Sequence, residues 1–350
     1  MDKISGAINA ELLQRKEYLG AQKIETIYFG GGTPSMLEIS DIESIVKTIY
    51  SLFKVASDAE ITLEANPDDL SPSKLKALKN MGINRLSIGI QSFREEDLVF
   101  LSRTHSSEQV FRCINDSQQA GFSNLSIDLI YGIPTLTEDG WKENLEKAFA
   151  FGIPHISAYS LTVEEKTPLE AMILKGKMKP VDENLSIAHY HILTKLTRQQ
   201  GYEQYEISNF CLPGAYSRHN TAYWQGKHYL GAGPSAHSYN GASRSWNVAN
   251  LVKYIETANS GNVEHDQEIL NQTTLFNEFI MTSLRTIWGC DLVSAKKKFG
   301  AEKAEHLLLN ATPFIESKQM IYSQGKLILT PEGRLFSDGI SSTLFEDEGY

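Results

Sequence analysis

The chain has 350 residues, of which 41% are hydrophobic and 22% are charged, a composition typical of soluble globular proteins and unlike that of disordered chains. Its 43 acidic and 33 basic residues give a formal net charge of −10, so the long-range field disfavours nucleic acid as the main partner. No apolar run reaches the ~18 residues that span a bilayer, and the charged N-terminus does not resemble a signal peptide, which together predict a cytoplasmic protein.

Short β-rich runs recur through the first half of the chain, with helical patterns between them. The runs are 24–29, 60–65, 85–91, 124–131 and 155–161, and helical patterns lie, for example, at 40–53 and 71–80. This alternation predicts βα units and a parallel sheet. A polar residue lies at the C-terminal end of nearly every run, as in Thr33, Glu64, Gln91, Asp128 and Thr162. That distribution favours a barrel over a doubly wound sheet, because the loops of a barrel collect functional residues from many strand ends.

The composition changes after about residue 205. Gly, Pro, Tyr, His and Trp are dense between residues 210 and 246 without a clear period, which predicts a long ordered loop. Helical patterns at 274–285, 291–299 and 302–318 precede short β-rich runs at 320–322 and 326–330, an order typical of a winged helix. We therefore expect a barrel over 1–205, a connecting region over 206–265 and an α+β domain over 266–350.

Two glycine-rich segments are candidates for ligand binding. YFGGGTPS at 28–35 runs from a strand into three glycines, which let backbone amides approach a ligand, although a tight βα turn alone also explains it. It lacks the lysine of a P-loop. LGAGPSAHSY at 230–239 has the GxGxxA spacing, but it lacks a clear preceding strand and following helix, so we reject dinucleotide binding there.

Several polar residues have the chemistry of a small-molecule site. Glu64, Gln91, Arg103 and Asp128 come from successive units, and together they suggest a ligand with a nucleoside and a carboxylate, although each alone is typical of a surface residue. Histidines and aromatic residues crowd into 217–229, where an imidazole could ligate a flat macrocycle such as haem. A structural histidine beneath an aromatic cluster is the alternative.

The three cysteines are Cys113, Cys211 and Cys290. Their wide separation excludes a CxxC zinc site or a compact iron–sulfur motif, and it predicts buried, reduced and inert thiols.

Several of these segments carry a resemblance to a known family. YFGGGTPS, TLEANPD, RLSIGIQSF, LSRTHS, SIDLIYGIP and ISAYSL occur in order, followed by RHNTAYW and YLGAGPSAHSY. In these motifs the chain resembles, over residues 20–345, the oxygen-independent coproporphyrinogen III oxidase family of radical S-adenosylmethionine (SAM) enzymes, and within it the haem-chaperone branch. The resemblance implies a partial radical SAM (β/α) barrel whose first strand is missing, followed by a winged-helix-like domain.

The resemblance also implies the residues that bind SAM. The glycine loop would contact the methionyl moiety and its amino group, Glu64 the ribose hydroxyls and Arg103 the methionine carboxylate. The full SAM set implied in this way is Gly31, Gly32, Thr33, Glu64, Gln91, Arg103 and Asp128, with Thr162 and His237 as weaker matches toward the adenosine end. His219 of RHNTAYW is the candidate haem ligand.

Enzymes of this kind hold a [4Fe–4S] cluster on three cysteines of a CxxxCxxC loop after the first barrel strand. By the family's layout that segment would precede residue 1, and none of the three cysteines replaces it, so we expect the chain as given not to hold the cluster. One hypothesis is that Met1 is an internal or misassigned start, with the strand at 24–29 left as an unpaired edge. The other is a cluster-less pseudo-enzyme or binding protein.

Three functions stay open at this point. The preferred one is a haem chaperone that passes haem to an acceptor haemoprotein, with a transient association with a membrane or respiratory protein. The second is the anaerobic oxidative decarboxylation of coproporphyrinogen III, which uses the same SAM residues. The third is DNA binding by the basic cluster of the winged helix, disfavoured by the net charge, with Lys296, Lys297, Lys298, Lys303, Lys318, Lys326 and Arg334. The sequence does not fix the oligomeric state.

Overall fold

The computed structural model describes residues 2–164, 167–176 and 178–347. Its helices are α1 Asp2–Gln14, α2 Ile39–Leu52, α3 Pro72–Asn80, α4 Glu95–Phe100, α5 Ser107–Gln119, α6 Glu138–Ala150, α7 Pro168–Leu174, α8 Glu183–Gln199, α9 Arg218–Trp224, α10 Leu251–Asn259, α11 Gln272–Leu284, α12 Leu292–Phe299, α13 Ala301–Glu316, α14 Pro331–Arg334 and α15 Ser337–Thr343. Its strands are β1 Ile24–Phe29, β2 Val55–Ala65, β3 Arg85–Gln91, β4 Asn124–Tyr131, β5 His155–Ser160, β6 Glu203–Glu206, β7 Asn209–Cys211, β8 His237–Tyr239, β9 Ser243–Asn247, β10 His265–Ile269, β11 Cys290–Asp291, β12 Met320–Ser323 and β13 Lys326–Leu329. Met1 lies outside the described residues.

The first seven strands form one curled sheet, an open half-barrel. Strands β1 to β5 are parallel neighbours in chain order, and β7 and β6 continue the sheet as antiparallel strands. Strand β1 is an outer strand that pairs with β2 on one side. The partial barrel that the sequence predicts is therefore confirmed.

Hydrophobic packing lies on the outer, convex side of the half-barrel. The alternating residues Ile61 and Leu63 of β2 and Leu86 and Ile88 of β3 join one large core with the surrounding helices. The helices begin at sequence-encoded caps, such as Ser106 of α5, which forms a capping box with Gln109. This layer keeps the strand ends in register, so the loops that follow them start from fixed positions.

The inner, concave side of the half-barrel is polar. Residue Glu60 of β2 faces inward, since it alternates with the outward Ile61. The side chain of His155 joins Ser126 and Tyr205 through hydrogen bonds of 2.7 Å each. These groups are fully buried, so their hydrogen bonds offset the cost of removing polar atoms from water.

The segment expected to be an ordered connecting loop contains several regular elements. Strands β8, β9 and β10 form a small antiparallel sheet, and α9 and α10 lie in the same part of the chain. Helix α1 docks on this region through the buried Glu11, whose carboxylate accepts hydrogen bonds from the Gly233 amide (2.9 Å), Asn247 (2.7 Å) and the Tyr254 hydroxyl (2.7 Å). Strands of three to five residues that are rich in Ser and Asn are too short to display a hydrophobic period.

The C-terminal domain has the order α11, β11, α12, α13, β12 and β13, with β13 between β11 and β12. This arrangement confirms the winged-helix-like domain, with the two-residue strand β11 as an addition that no period in the sequence could reveal. Residue Arg285 joins this domain to the half-barrel by hydrogen bonds of 3.2 and 3.1 Å to Glu206. The boundaries at 205/206 and 265/266 remain predictions. Within the described ranges, no helix combines the length and the apolar character needed to cross a bilayer.

Candidate functional site

The glycine loop after β1 forms an open cradle. Residues Gly31 and Gly32 have φ values of +74° and +83°, which are strained for other residues. A side chain at either position would meet no atom within 4 Å. Packing therefore does not require glycine there, and the backbone faces open space that a ligand can fill. Thr33 follows, at the start of a short 3₁₀ turn.

The carboxylate of Glu64, near the end of β2, is held by the neighbouring strand and by the glycine loop. Its Oε1 accepts a hydrogen bond from the Tyr28 hydroxyl at 2.5 Å, and its Oε2 accepts one from the Gly31 amide at 3.1 Å. Burial and the Glu64 charge raise the pKa of the Tyr28 hydroxyl above its usual range, so this hydroxyl stays protonated and donates. Glu64 is thus oriented before any ligand binds.

The end of β3 is strained at Gln91. Its φ is +65°, and the pairing of β3 with β4 is irregular between Ile88 and Gln91. A Cβ at Gly89 would lie 2.8 Å from Gln91 Nε2, so glycine at this position lets the amide side chain lie against the strand. Gln91 lines an open cavity of about 320 Å³ with Asp128, Ile130, Tyr159, Ser160, Leu161 and Thr162.

Asp128 of β4 is the titratable group of this cavity. Burial, followed by the charge of Glu64, raises its pKa to about 7, although the hydroxyls of Ser157 and Ser87 and the charge of Arg85 act in the opposite direction. Arg103, in the connection between α4 and α5, is close enough to feel the Asp128 charge, while burial lowers the pKa of its guanidinium. The cavity thus carries a carboxylate that changes charge near neutral pH.

The predicted SAM residues fall into two groups. The glycine loop and Glu64 are in direct contact, and Gln91, Asp128 and Thr162 line one cavity beside them, with Arg103 within electrostatic range of Asp128. His237 lies elsewhere, on β8, where it stacks on Trp246 and lines a separate cavity of about 360 Å³. The roles of all these residues toward SAM remain predictions.

The candidate haem ligand His219 lies in α9, against the concave side of β1. Helix α9 starts at Ser217, whose hydroxyl accepts from the Asn220 amide, and Glu60 accepts hydrogen bonds from the His219 amide at 3.0 Å and the Arg218 amide at 3.2 Å. Its imidazole Nδ1 lies 2.9 Å from Thr26 Oγ1.

Aromatic rings enclose the half-buried imidazole of His219. The Tyr28 ring stacks on it, with centroids 4.6 Å apart and planes at 14°, and the Tyr223 ring meets it edge-on at 4.9 Å. Burial lowers the pKa of His219 to about 4, so the ring is neutral at physiological pH. Among the described residues the only side chain that hydrogen-bonds to the imidazole of His219 is Thr26, at Nδ1, and Nε2 has no hydrogen-bond partner.

Sequence reasoning missed Thr26, Tyr28 and Glu60. The alternation along β1 and β2 places all three on one face, but that signal does not say which face is concave. The sequence also gave no indication that α9 would pack there, more than 190 positions after β1.

The fold can be compared with known proteins. The sequence profile of the Radical SAM superfamily matches residues 8–148. The solved structure of the Escherichia coli coproporphyrinogen III oxidase HemN superposes with a TM-score of 0.83, covering 98% of this chain and 83% of that one. At 22% identity this likeness shows the fold alone. The half-barrel thus has the radical SAM fold.

Relatives of similar length show which radical SAM family the chain belongs to. The "Heme chaperone HemW" of Bacillus subtilis (strain 168) is 32% identical over 343 residues, which cover 97% of this chain and 90% of the relative. The protein of the same name from Mycobacterium tuberculosis (strain ATCC 25618 / H37Rv) is 32% identical over 339 residues, which cover 97% of this chain and 85% of the relative. The chain belongs to the HemW family of radical SAM proteins.

Membership of a radical SAM family implies SAM and a [4Fe–4S] cluster as cofactors. The open glycine cradle and the oriented carboxylate fit SAM, with its amino-acid and nucleoside parts. The described residues do not fit the cluster: Cys113, Cys211 and Cys290 are buried in separate elements, and burial raises the pKa of each thiol to about 12. No group of three or more His, Cys, Asp or Glu side chains in the described ranges could hold a metal. The prediction of buried thiols is confirmed.

Proposed function

We propose that this protein is a cytoplasmic haem chaperone, which binds haem iron through His219 and passes the haem to an acceptor haemoprotein. The observation that carries the proposal is the environment of His219. Its imidazole is neutral, Thr26 holds Nδ1, and Nε2 has no partner among the described residues. A neutral imidazole whose second nitrogen is fixed by a hydrogen bond is a suitable ligand for iron. The chaperone names of the relatives support the same reading.

The protein's own groups prepare His219 for this role. An Nδ1–H that donates to Thr26 Oγ1 places the lone pair on Nε2, which is the tautomer that ligation requires. Glu60 anchors the start of α9 through two backbone amides, so the imidazole is carried on a fixed helix end. We expect the macrocycle to lie against the aromatic residues that surround His219, with Tyr223 as the exposed one.

We further propose that SAM binds at the strand ends of the half-barrel. The glycine loop and Glu64 would hold its methionyl and ribose parts, Gln91 and Asp128 would line the cavity, and Arg103 would meet the carboxylate. When bound, SAM supplies a sulfonium centre between the adenosyl and methionyl groups. The residues of this chain bind and orient it there.

Titration of the protein with haem, followed in the Soret region, tests the proposal. We expect saturable binding at micromolar haem, and a large loss of affinity with an altered Soret maximum for His219→Ala. His228→Ala is the matched control, because His228 lies in the same segment but is exposed and contacts Gln22. Absence of a Soret shift in the wild-type protein, or an unchanged titration for His219→Ala, would contradict the proposal.

A further inference from the structure

Tyr28 touches both proposed sites. Its hydroxyl donates to Glu64 Oε1 at 2.5 Å, and its ring stacks on the imidazole of His219 with 4.6 Å between the centroids. The carboxylate of the proposed SAM site and the imidazole of the proposed haem site are therefore separated by one side chain. No other tyrosine in the described ranges bonds to Glu64.

The Tyr28 ring is packed tightly on the glycine loop. A Cβ built on Gly30 would lie 2.3 Å from Tyr28 Cε1 and 3.0 Å from the carboxyl carbon of Glu64. The amide of Gly31 donates to the second oxygen of Glu64. Because the loop, the carboxylate and the ring are in mutual contact, one cannot move far without displacing the others.

We propose that Tyr28 couples the two sites, so that SAM bound at Glu64 increases the affinity of His219 for haem. This coupling rests on the proposed function. It deepens that proposal by assigning a positioning role to a residue that contacts both ligand-binding groups.

The direction of the coupling follows from the contacts. Without a ligand, both oxygens of Glu64 are engaged by protein donors, and the ring of Tyr28 covers one face of His219. A ribose hydroxyl that donates to Glu64 Oε1 shares this acceptor with the Tyr28 hydroxyl and weakens their hydrogen bond. With that bond weakened, the ring shifts on His219 together with the carboxylate and the glycine loop that it contacts.

The space beside His219 then becomes available to haem. A macrocycle bound through Nε2 would extend past the edge of the imidazole on both sides of its plane. The Tyr28 ring covers one of those sides in the structure, and the Tyr223 ring meets the imidazole edge-on. Thermodynamic reciprocity requires that haem increase the affinity for SAM by the same factor.

The test is a haem titration with and without saturating SAM, on the wild-type chain and two tyrosine variants. Tyr28→Phe removes only the hydroxyl that bonds to Glu64. Tyr229→Phe is the matched control, since this tyrosine packs on Tyr223 in the same aromatic cluster but, among the described residues, bonds to neither His219 nor Glu64. We expect SAM to tighten haem binding about fivefold or more in the wild type and in Tyr229→Phe, and to have no effect in Tyr28→Phe.

A second measurement does not depend on haem. The imidazole ¹⁵N resonances of His219 should shift when SAM is added to the wild type and stay in place in Tyr28→Phe, with circular dichroism confirming that both are folded. Haem binding that is indifferent to SAM, or a SAM effect that survives in Tyr28→Phe, overturns the coupling and leaves the chaperone proposal standing. Failure of the wild type to bind haem at all overturns the chaperone proposal, and the coupling with it.

Discussion

The pH dependence of SAM binding is predicted to follow the ionisation of Asp128. Burial and the charge of Glu64 raise its pKa to about 7. An ionised carboxylate both accepts hydrogen bonds from ribose hydroxyls and attracts a sulfonium cation, so SAM should favour the charged form. SAM binding should therefore weaken as the pH falls through 7.

The size of the effect follows from the pKa. With a pKa of about 7, about nine-tenths of Asp128 is ionised at pH 8 and about one hundredth at pH 5, so the affinity should fall by about a hundredfold when only the ionised form binds. By linkage, binding lowers the pKa of Asp128 and releases a proton near pH 7. In the free protein the raised pKa means that the folded state binds the proton more tightly than the unfolded state does. The free energy of unfolding therefore increases as the pH falls from about 7 toward 4.

Isothermal titration calorimetry of SAM between pH 5 and 8, in buffers of different ionisation enthalpy, measures both the affinity and the proton release. Asp128→Asn should bind more weakly at pH 8 but with little pH dependence of its own. The ionisation of SAM itself affects both proteins equally, so it cancels when the affinity of the wild type is divided by that of Asp128→Asn. Asp139→Asn serves as the control, because Asp139 is exposed on α6 and bonds to Lys142. An equal pH dependence in wild type and Asp128→Asn would refute the reasoning.

Two further substitutions test the scaffold and the cradle. Glu11→Ala leaves Arg15 and Asn247 without their carboxylate partner, so it should lower the free energy of unfolding by about 3–5 kcal/mol, measured by urea denaturation. The same change at the exposed Glu17 should cost less than about 0.5 kcal/mol, and equal effects at the two positions would contradict the role of Glu11. Gly31→Ala should cost only about 1–2 kcal/mol of stability, for its φ of +74°, yet weaken SAM binding in the folded protein. Unchanged SAM affinity would show that the cradle does not face the ligand.

Much of the half-barrel could be predicted because the sequence patterns that mark its strands and helices are local. The strands at 24–29, 85–91 and 124–131 were predicted with the bounds that the structure shows, since short β-rich runs between helical patterns mark the strands of βα units. Strand β2 begins at Val55, five residues before its predicted start, because Ser57 and Asp58 interrupt the apolar pattern. Polar residues toward the C-terminal ends of the parallel strands were enough to predict that Glu64, Gln91 and Asp128 lie at one edge of the sheet.

The surroundings of His219 could not be predicted in the same way. The contact of His219 with Thr26 and Tyr28 joins α9 to β1, across more than 190 positions, and no periodicity encodes such a pairing. For His237, the motif alone suggested a place at the SAM site, whereas the pairing of β8 with β9 puts its ring on Trp246. Local patterns thus identify elements, and only the packed structure shows which side chains meet.

The rate of haem transfer to an acceptor tests whether the protein is a haem chaperone. The haem-loaded protein is mixed with apo-haemoproteins of the respiratory membrane, and the rate of Soret change is compared with haem loss to excess apomyoglobin, a passive scavenger. We expect that an acceptor takes up haem faster than the scavenger does, and that porphyrinogen incubated with SAM and dithionite is not converted. Transfer no faster than passive loss, or turnover of coproporphyrinogen, would contradict a chaperone and favour a simple haem binder or an oxidase.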